Sequence, residues 1–335
     1  MEIDLTPIVQ RWDKLGSALG TELFVVRDDL LPFPLAGNKV RKLAAEFRIM
    51  PHSTTLVISN GGIDSNHCRT AAWFAALHGV RSHLVLHGAC AEGGRALEML
   101  RALGATYQVV RPTGIAETLS AAASHERDRG GVPVVIPGGC HSRAGAIAYR
   151  DAGLSVLREI HPNSVYVASG TGATQGGLIA AAARSASPPK IVGISVARDR
   201  GHGSIAVEEA ARWAGADQAS ICFDDGFRAG GYARQDERTV DAVRFGWEHG
   251  LPLDGTYTGK AFAAILEAGR AGATPPEDRL LAHGWSLELD RWLDLMLTIL
   301  ARAHALPSLY TRTHCRPSPR VSCAERTLPR VAEYA

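Results

Sequence analysis

Residues 164–186 read SVYVASGTGATQGGLIAAAARSA. The run opens on β-branched and small residues, turns through Ser169-Gly-Thr-Gly-Ala-Thr-Gln175, and continues as an apolar, alanine-rich stretch. That pattern is a strand, a glycine-rich turn and a helix. Glycines let the backbone approach an anion closely, and the following helix turns its free N–H groups and positive dipole end toward it. Thr171 and Thr174 add hydroxyl donors. The turn lacks the Gly-Lys-Ser/Thr of a nucleotide P-loop. KIVGISVAR, at the position about 20 residues on, lacks the acidic residue of a dinucleotide site. A single phosphate is the expected ligand, with an ordinary tight turn as the alternative.

The same alternation extends on both sides. LFVVRDD (23–29), TTLVISN (54–60), SHLVLHG (82–88), VPVVIPGG (132–139) and KIVGISVA (190–197) read as strands, and VRKLAAEFRIM (40–50), SNHCRTAAWFAALHGV (65–80) and GGRALEMLRALGA (93–105) as helices. Strands alternating with helices predict an α/β fold with open, twisted parallel sheets and flanking helices. Ligands of such sheets bind at the carboxyl ends of the strands. The unusual glycine, asparagine and lysine clusters fall at those ends.

The composition narrows the function. With 335 residues, 46% apolar and 21% charged, the chain can bury one large or two modest cores. A net charge of +2 with no long run of one sign argues against a nucleic-acid partner. Mean hydropathy is near zero. No stretch approaches the roughly 20 apolar residues that span a bilayer. MEIDLTPIVQRWDK has no basic segment followed by an apolar one, so a cytoplasmic protein without a membrane partner is expected. The six cysteines lie singly, with no C-x-x-C pair, which points to reduced thiols rather than structural zinc.

Lysine is scarce, five residues against thirty-one arginines. A Schiff-base amine must therefore be Lys14, Lys39, Lys42, Lys190 or Lys260. Lys39 stands out, held among small residues before an apolar helix in the run from Arg27-Asp-Asp to Gly37-Asn-Lys-Val-Arg-Lys42. In Asn60-Gly-Gly-Ile-Asp-Ser-Asn-His67, Ser65 is a helix N-cap and Asn66 and His67 follow it. In Asp254-Gly-Thr-Tyr-Thr-Gly-Lys-Ala261, Tyr257 is either a proton donor or a core aromatic with a tethered hydroxyl. Gly230-Gly-Tyr232 is a weaker signal of the same kind.

Together and in this order, RDD…GNKVRKL, GGIDSNH, SGTGATQGGL and YTGKA resemble pyridoxal-phosphate (PLP) enzymes of the tryptophan-synthase β type. Within that type they resemble the branch of D-cysteine desulfhydrase and 1-aminocyclopropane-1-carboxylate (ACC) deaminase. The resemblance runs from Leu5-Thr-Pro7 to about Pro317. It implies the two-domain PLP fold type II, with residues 1–45 and 155–335 forming the large domain and 46–154 the small one. It implies that Lys39 carries PLP and moves the Cα proton, that Asn66 bonds the cofactor's phenolic oxygen, and that Gly170, Thr171, Gly172, Ala173 and Thr174 hold its phosphate. Ser65 and His67 are implied beside the substrate carboxylate and amine, and Tyr257 and Tyr232 on the substrate face. Thr313 aligns with the threonine of the family's H-T-G-G-x-P turn, next to the pyridine nitrogen.

The implied reaction is β-elimination from a small amino-acid substrate, D-cysteine to pyruvate, sulfide and ammonia, in a homodimer. ACC deaminases carry Glu and Leu where this chain has Thr258 and Thr313, which favours elimination over ring opening. ACC deaminase and L-cysteate sulfo-lyase are the rival enzymes. A catalytically impaired PLP- or amino-acid-binding protein is the rival of another class. It rests on the departures: Ala36 for Gly, Asp64 for Gln, Cys140-His141 in an I-P-x-G-G-S turn, and Arg312-Thr-His-Cys-Arg-Pro317 for H-T-G-G-L-P. The last removes two glycines that permit close approach to the ring.

Overall fold

The computed structural model describes residues 3–32, 37–88, 94–272 and 279–283. The 164–186 run folds as β7 (Ser164–Ser169), the glycine turn, and α7 (Ala173–Ala182). All ten residues of α7 are buried, which explains an apolar run without a polar face. β7 lies inside a six-stranded sheet of order β1 (Val9–Arg11), β2 (Glu22–Val26), β10 (Arg279–His283), β7, β8 (Lys190–Ser195), β9 (Cys222–Asp224). A four-stranded sheet has the order β5 (Thr106–Val109), β4 (Arg81–His87), β3 (Leu56–Gly62), β6 (Pro133–Ile136). Every pairing is parallel except β1 with β2. This is the expected α/β architecture, with one antiparallel edge.

Helices α1 (Asp13–Leu19), α2 (Asn38–Ile49), α3 (Asn66–Leu77), α4 (Gly94–Ala102), α5 (Ile115–Asp128), α6 (Arg143–Ile160), α8 (Arg200–Trp213), α9 (Glu237–Glu248) and α10 (Thr258–Arg270) complete the described residues. The larger core gathers Val26, Tyr149, Val156, Val165, Val167, Leu178, Val207 and Phe223, with α6, α7 and α8 packed around β7. Each such aliphatic side chain contributes about 1.5–3 kcal/mol on burial. Val40, Leu43, Phe47, Val57, Phe74 and Ile136 form a second core that seats α2 and α3 on β3 and β6.

Two local expectations change. The strand read over 23–29 stops at Val26, and Asp28–Leu30 form a single 3-10 turn. Its charges explain the break. Arg27 grips Asp29 with two hydrogen bonds of 2.8 and 2.6 Å. Buried Asp28 accepts from Arg41 of α2 at 2.8 Å and from the Tyr149 hydroxyl of α6. The strand read over 54–60 runs on through Gly61 and Gly62, where Gly62 pairs with His87.

Candidate active site

The carboxyl ends of β3, β4, β7 and β8 and the turn after β6 surround a cavity of about 420 Å³. That volume suits a small ligand. Lys39, Ser65, His67, Gly170, Thr171, Gly172, Thr174, Tyr232 and Tyr257, all expected at a site, line it. Asn66, Ala173 and Thr258 are buried but do not line it. Asn66 accepts from Arg69, and Thr258 donates to Asp254 at 2.7 Å. Thr313 lies outside the described residues.

Of the five lysines, Lys14 and Lys190 are exposed, and Lys260 is buried away from the cavity wall. Lys39 is half-buried on the wall, in the first turn of α2. Its Nζ donates to Asn38 Oδ1 at 2.6 Å, and Asn38 Nδ2 donates to Thr174 Oγ1 at 3.2 Å. Asn38 thus ties the Lys39 amine to the glycine turn. Lys39 Nζ also stands 5.8 Å from the centre of the Tyr257 ring. The Tyr257 and Tyr232 hydroxyls meet at 2.8 Å.

The glycine turn has the form an anion needs. Gly172 adopts φ +100°, which a side chain would strain, and no side chain caps the N-terminus of α7. Ser169 Oγ is buried without a hydrogen-bond partner among the described residues, beside that N-terminus. Lys42, one helical turn beyond Lys39, enters the same cavity and donates to Gly139 O at 3.4 Å. Burial, and then the charge of Lys39, push its ammonium well below the usual lysine range. A dianion beside it restores the charged form. Among the described residues the lining carries Lys39, Lys42 and Arg198 and no carboxylate. An aldehyde that bears a phosphate fits this set: an amine for the carbonyl, and an uncapped helix end with a buried cation for the phosphate.

Ser65 is both N-cap and wall. Its Oγ accepts from Cys68 N at 3.4 Å and its residue lines the cavity. His67 is almost fully buried. Burial, then the charges of Lys39 and Lys42, push its imidazole down to about 3, so it is neutral. Burial also pushes the Cys68 and Cys140 thiols up to about 12, so neither is a nucleophile. His141 bonds Glu209 at 3.0 Å and packs on Trp213, outside the lining. Among the described residues no cluster of three or more His, Cys, Asp or Glu side chains is placed to hold a metal.

A family model described as pyridoxal-phosphate dependent enzyme matches residues 1–283. The chain belongs to this family. As a member it uses pyridoxal phosphate, and its fold is fold type II. It is 31% identical to the D-cysteine desulfhydrase of Klebsiella pneumoniae (strain 342), over 76% of this chain and 83% of that one. It is 30% identical to the D-cysteine desulfhydrase of Salmonella typhi over the same shares. A crystal structure of an ACC deaminase homologue superposes with a TM-score of 0.75 at 25% identity, covering 89% of this chain and 94% of that one. Threonine deaminase isoform 2 of Solanum lycopersicum, at 14% identity and a TM-score of 0.66, covers 88% of this chain and 84% of its own and shares the fold. The family match ends at residue 283, before Thr313.

The reading of the sequence missed Asn38 and Lys42 as parts of the site. The signal was present for Lys42, since residues three apart on a helix share a face. Among the described residues no helix is long and apolar enough to cross a membrane.

Proposed function

We propose that the protein catalyses β-elimination from a cysteine-like amino acid, converting D-cysteine and water to pyruvate, sulfide and ammonia. The observation that carries this reading is the Lys39 amine, tied through Asn38 to an uncapped phosphate-type helix end and facing a tyrosine pair. Similarity to D-cysteine desulfhydrases over three quarters of the chain supports the choice of substrate.

In this reading the N-terminus of α7, with Thr171, Thr174 and Lys42, would hold the cofactor's phosphate and Lys39 its aldehyde carbon, while Asn66, expected at its phenolic oxygen, braces the wall from behind. The bound cofactor supplies an electron sink for the pair left at Cα. Lys39 Nζ takes the Cα proton. The Tyr257 hydroxyl, oriented by Tyr232, gives a proton to the departing sulfur. Ser65 orients the substrate carboxylate by a hydrogen bond, Arg198 supplies the positive field it needs, and neutral His67 lines the wall beside them. Thr258 is held by Asp254 behind the wall and brings no carboxylate to the cavity, which supports elimination over the ACC reaction.

The reading carries with it a small domain at 46–154, which contains the four-stranded sheet, together with a homodimer and a cytoplasmic location. The impaired-protein reading draws on one observation, that the family match stops at His283. The test is sulfide and pyruvate release from D-cysteine, L-cysteate and ACC by wild type and Lys39→Ala. We expect release from D-cysteine, lost by at least a thousand-fold in Lys39→Ala. Bound cofactor without turnover of any of the three would replace this reading by the impaired one.

A further inference from the structure

Lys260 breaks a local rule. It is the third residue of α10, at the positive end of the helix dipole, where a cation is disfavoured, and it is fully buried. Its Nζ donates to three backbone carbonyls, Val196 O, Arg228 O and Gly231 O, each at 2.8 Å. An ammonium has three donors. The geometry is that of a cation coordinated by peptide oxygens.

The three carbonyls come from the parts of the chain that shape one wall of the cavity. Val196 follows β8 and bonds Ser169 through its amide at 3.1 Å. Arg228 and Gly231 belong to the loop that carries Tyr232. That loop is strained, since Ala229 and Ala233 adopt φ +53° and +59° without being glycine. Such a backbone persists only where its surroundings determine it. Lys260 reaches both the loop and the residue that follows β8. Tyr257, which meets Tyr232, lies three residues before it.

We propose that Lys260 is the positioning residue of the tyrosine pair. Its ammonium is a tethered cation that draws the Arg228–Ala233 loop against β8 and so fixes Tyr232 on Tyr257. A corollary follows from ion chemistry. K⁺ and ammonium are close in size and are coordinated by carbonyl oxygens in the same way. Removing the side chain leaves a carbonyl cage that takes either ion. The inference does not depend on D-cysteine being the substrate.

The test measures melting temperature for wild type, Lys260→Ala and Lys260→Met in KCl, NH4Cl, LiCl and choline chloride at constant ionic strength. In choline chloride Lys260→Ala should melt roughly 5–10 °C below wild type, as expected when a buried charge is removed from its partners. KCl or NH4Cl should recover at least half of that drop, saturably, and LiCl should not. Wild type, whose cage is filled, and Lys260→Met, whose chain fills the space without charge, should not respond. Where turnover is measurable, Lys260→Ala should fall to the kcat of Tyr232→Phe and regain activity with K⁺. Equal melting of Lys260→Ala in all four salts, or an equal K⁺ response in Lys260→Met, would overturn the proposal. Should the alanine variant fail to fold in every salt, Lys260→Gln decides. Its neutral amide should leave a clear deficit, and wild-type melting in that variant would overturn the need for a cation.

Discussion

His67 is held in one tautomer by its neighbours. Ser59 Oγ donates to Ile136 O at 2.7 Å, so toward His67 Nε2, also at 2.7 Å, it accepts. Nε2 therefore carries the proton, and Nδ1 is left to accept from the Cys140 thiol at 3.7 Å. The unfolded chain titrates this imidazole near 6.5 and the folded chain near about 3. Between those values the unfolded state binds the extra proton. The contribution to stability is complete above about pH 6.5 and is lost as pH falls toward 3. Replacing His67 by Gln should make the fall of unfolding free energy between pH 6 and 4 shallower by about 1.4 kcal/mol per pH unit. Urea titrations across that window measure it, and an unchanged slope would mean that His67 is charged when folded. Ser65 was legible as a cap because the residue type and its place before a helix are local. The neutrality of His67 was not, because its causes, Lys39, Lys42 and Ser59, come together only in the fold.

Among the elements, α7 is seated on α6 through contacts that need glycine. A Cβ on Gly177 would lie 2.3 Å from Ala146 O and 2.7 Å from Tyr149 Cβ, both on α6. Gly177→Ala must push α7 off α6 and should cost about 3 kcal/mol in chemical unfolding. Gly94→Ala, with nothing within 4 Å among the described residues, should change stability by less than about 0.5 kcal/mol. Equal effects would show that the two helices have room to separate. The strand, turn and helix at 164–186 were readable because their signals are local: glycine spacing and apolar runs. The helix α5 was passed over because it exposes most of its surface. Only Ala123 and Glu126 of α5 are buried, too few for an apolar period. The strand read through Arg27-Asp-Asp stopped early because Arg41 and Tyr149, distant in sequence, claim Asp28.

For the whole molecule, the parallel order of both sheets was implied by alternation, and it brings the strand ends together at one cavity. That convergence is why separate glycine, asparagine and lysine motifs become one site. Thr313, read from a short likeness at 312–317, lies outside the described residues and beyond the family match, which covers residues 1–283. Asn66 and Thr258 stand behind the wall, where they brace it. The central claim is that Lys39, and no other lysine, carries the cofactor. Borohydride reduction of the cofactor-loaded protein, followed by peptide mass mapping, fixes the cofactor to the amine that holds it. The cofactor mass should appear on Lys39 and be absent from Lys42, three residues away on the same cavity wall. Finding it on Lys42, or on any lysine but Lys39, would contradict the account.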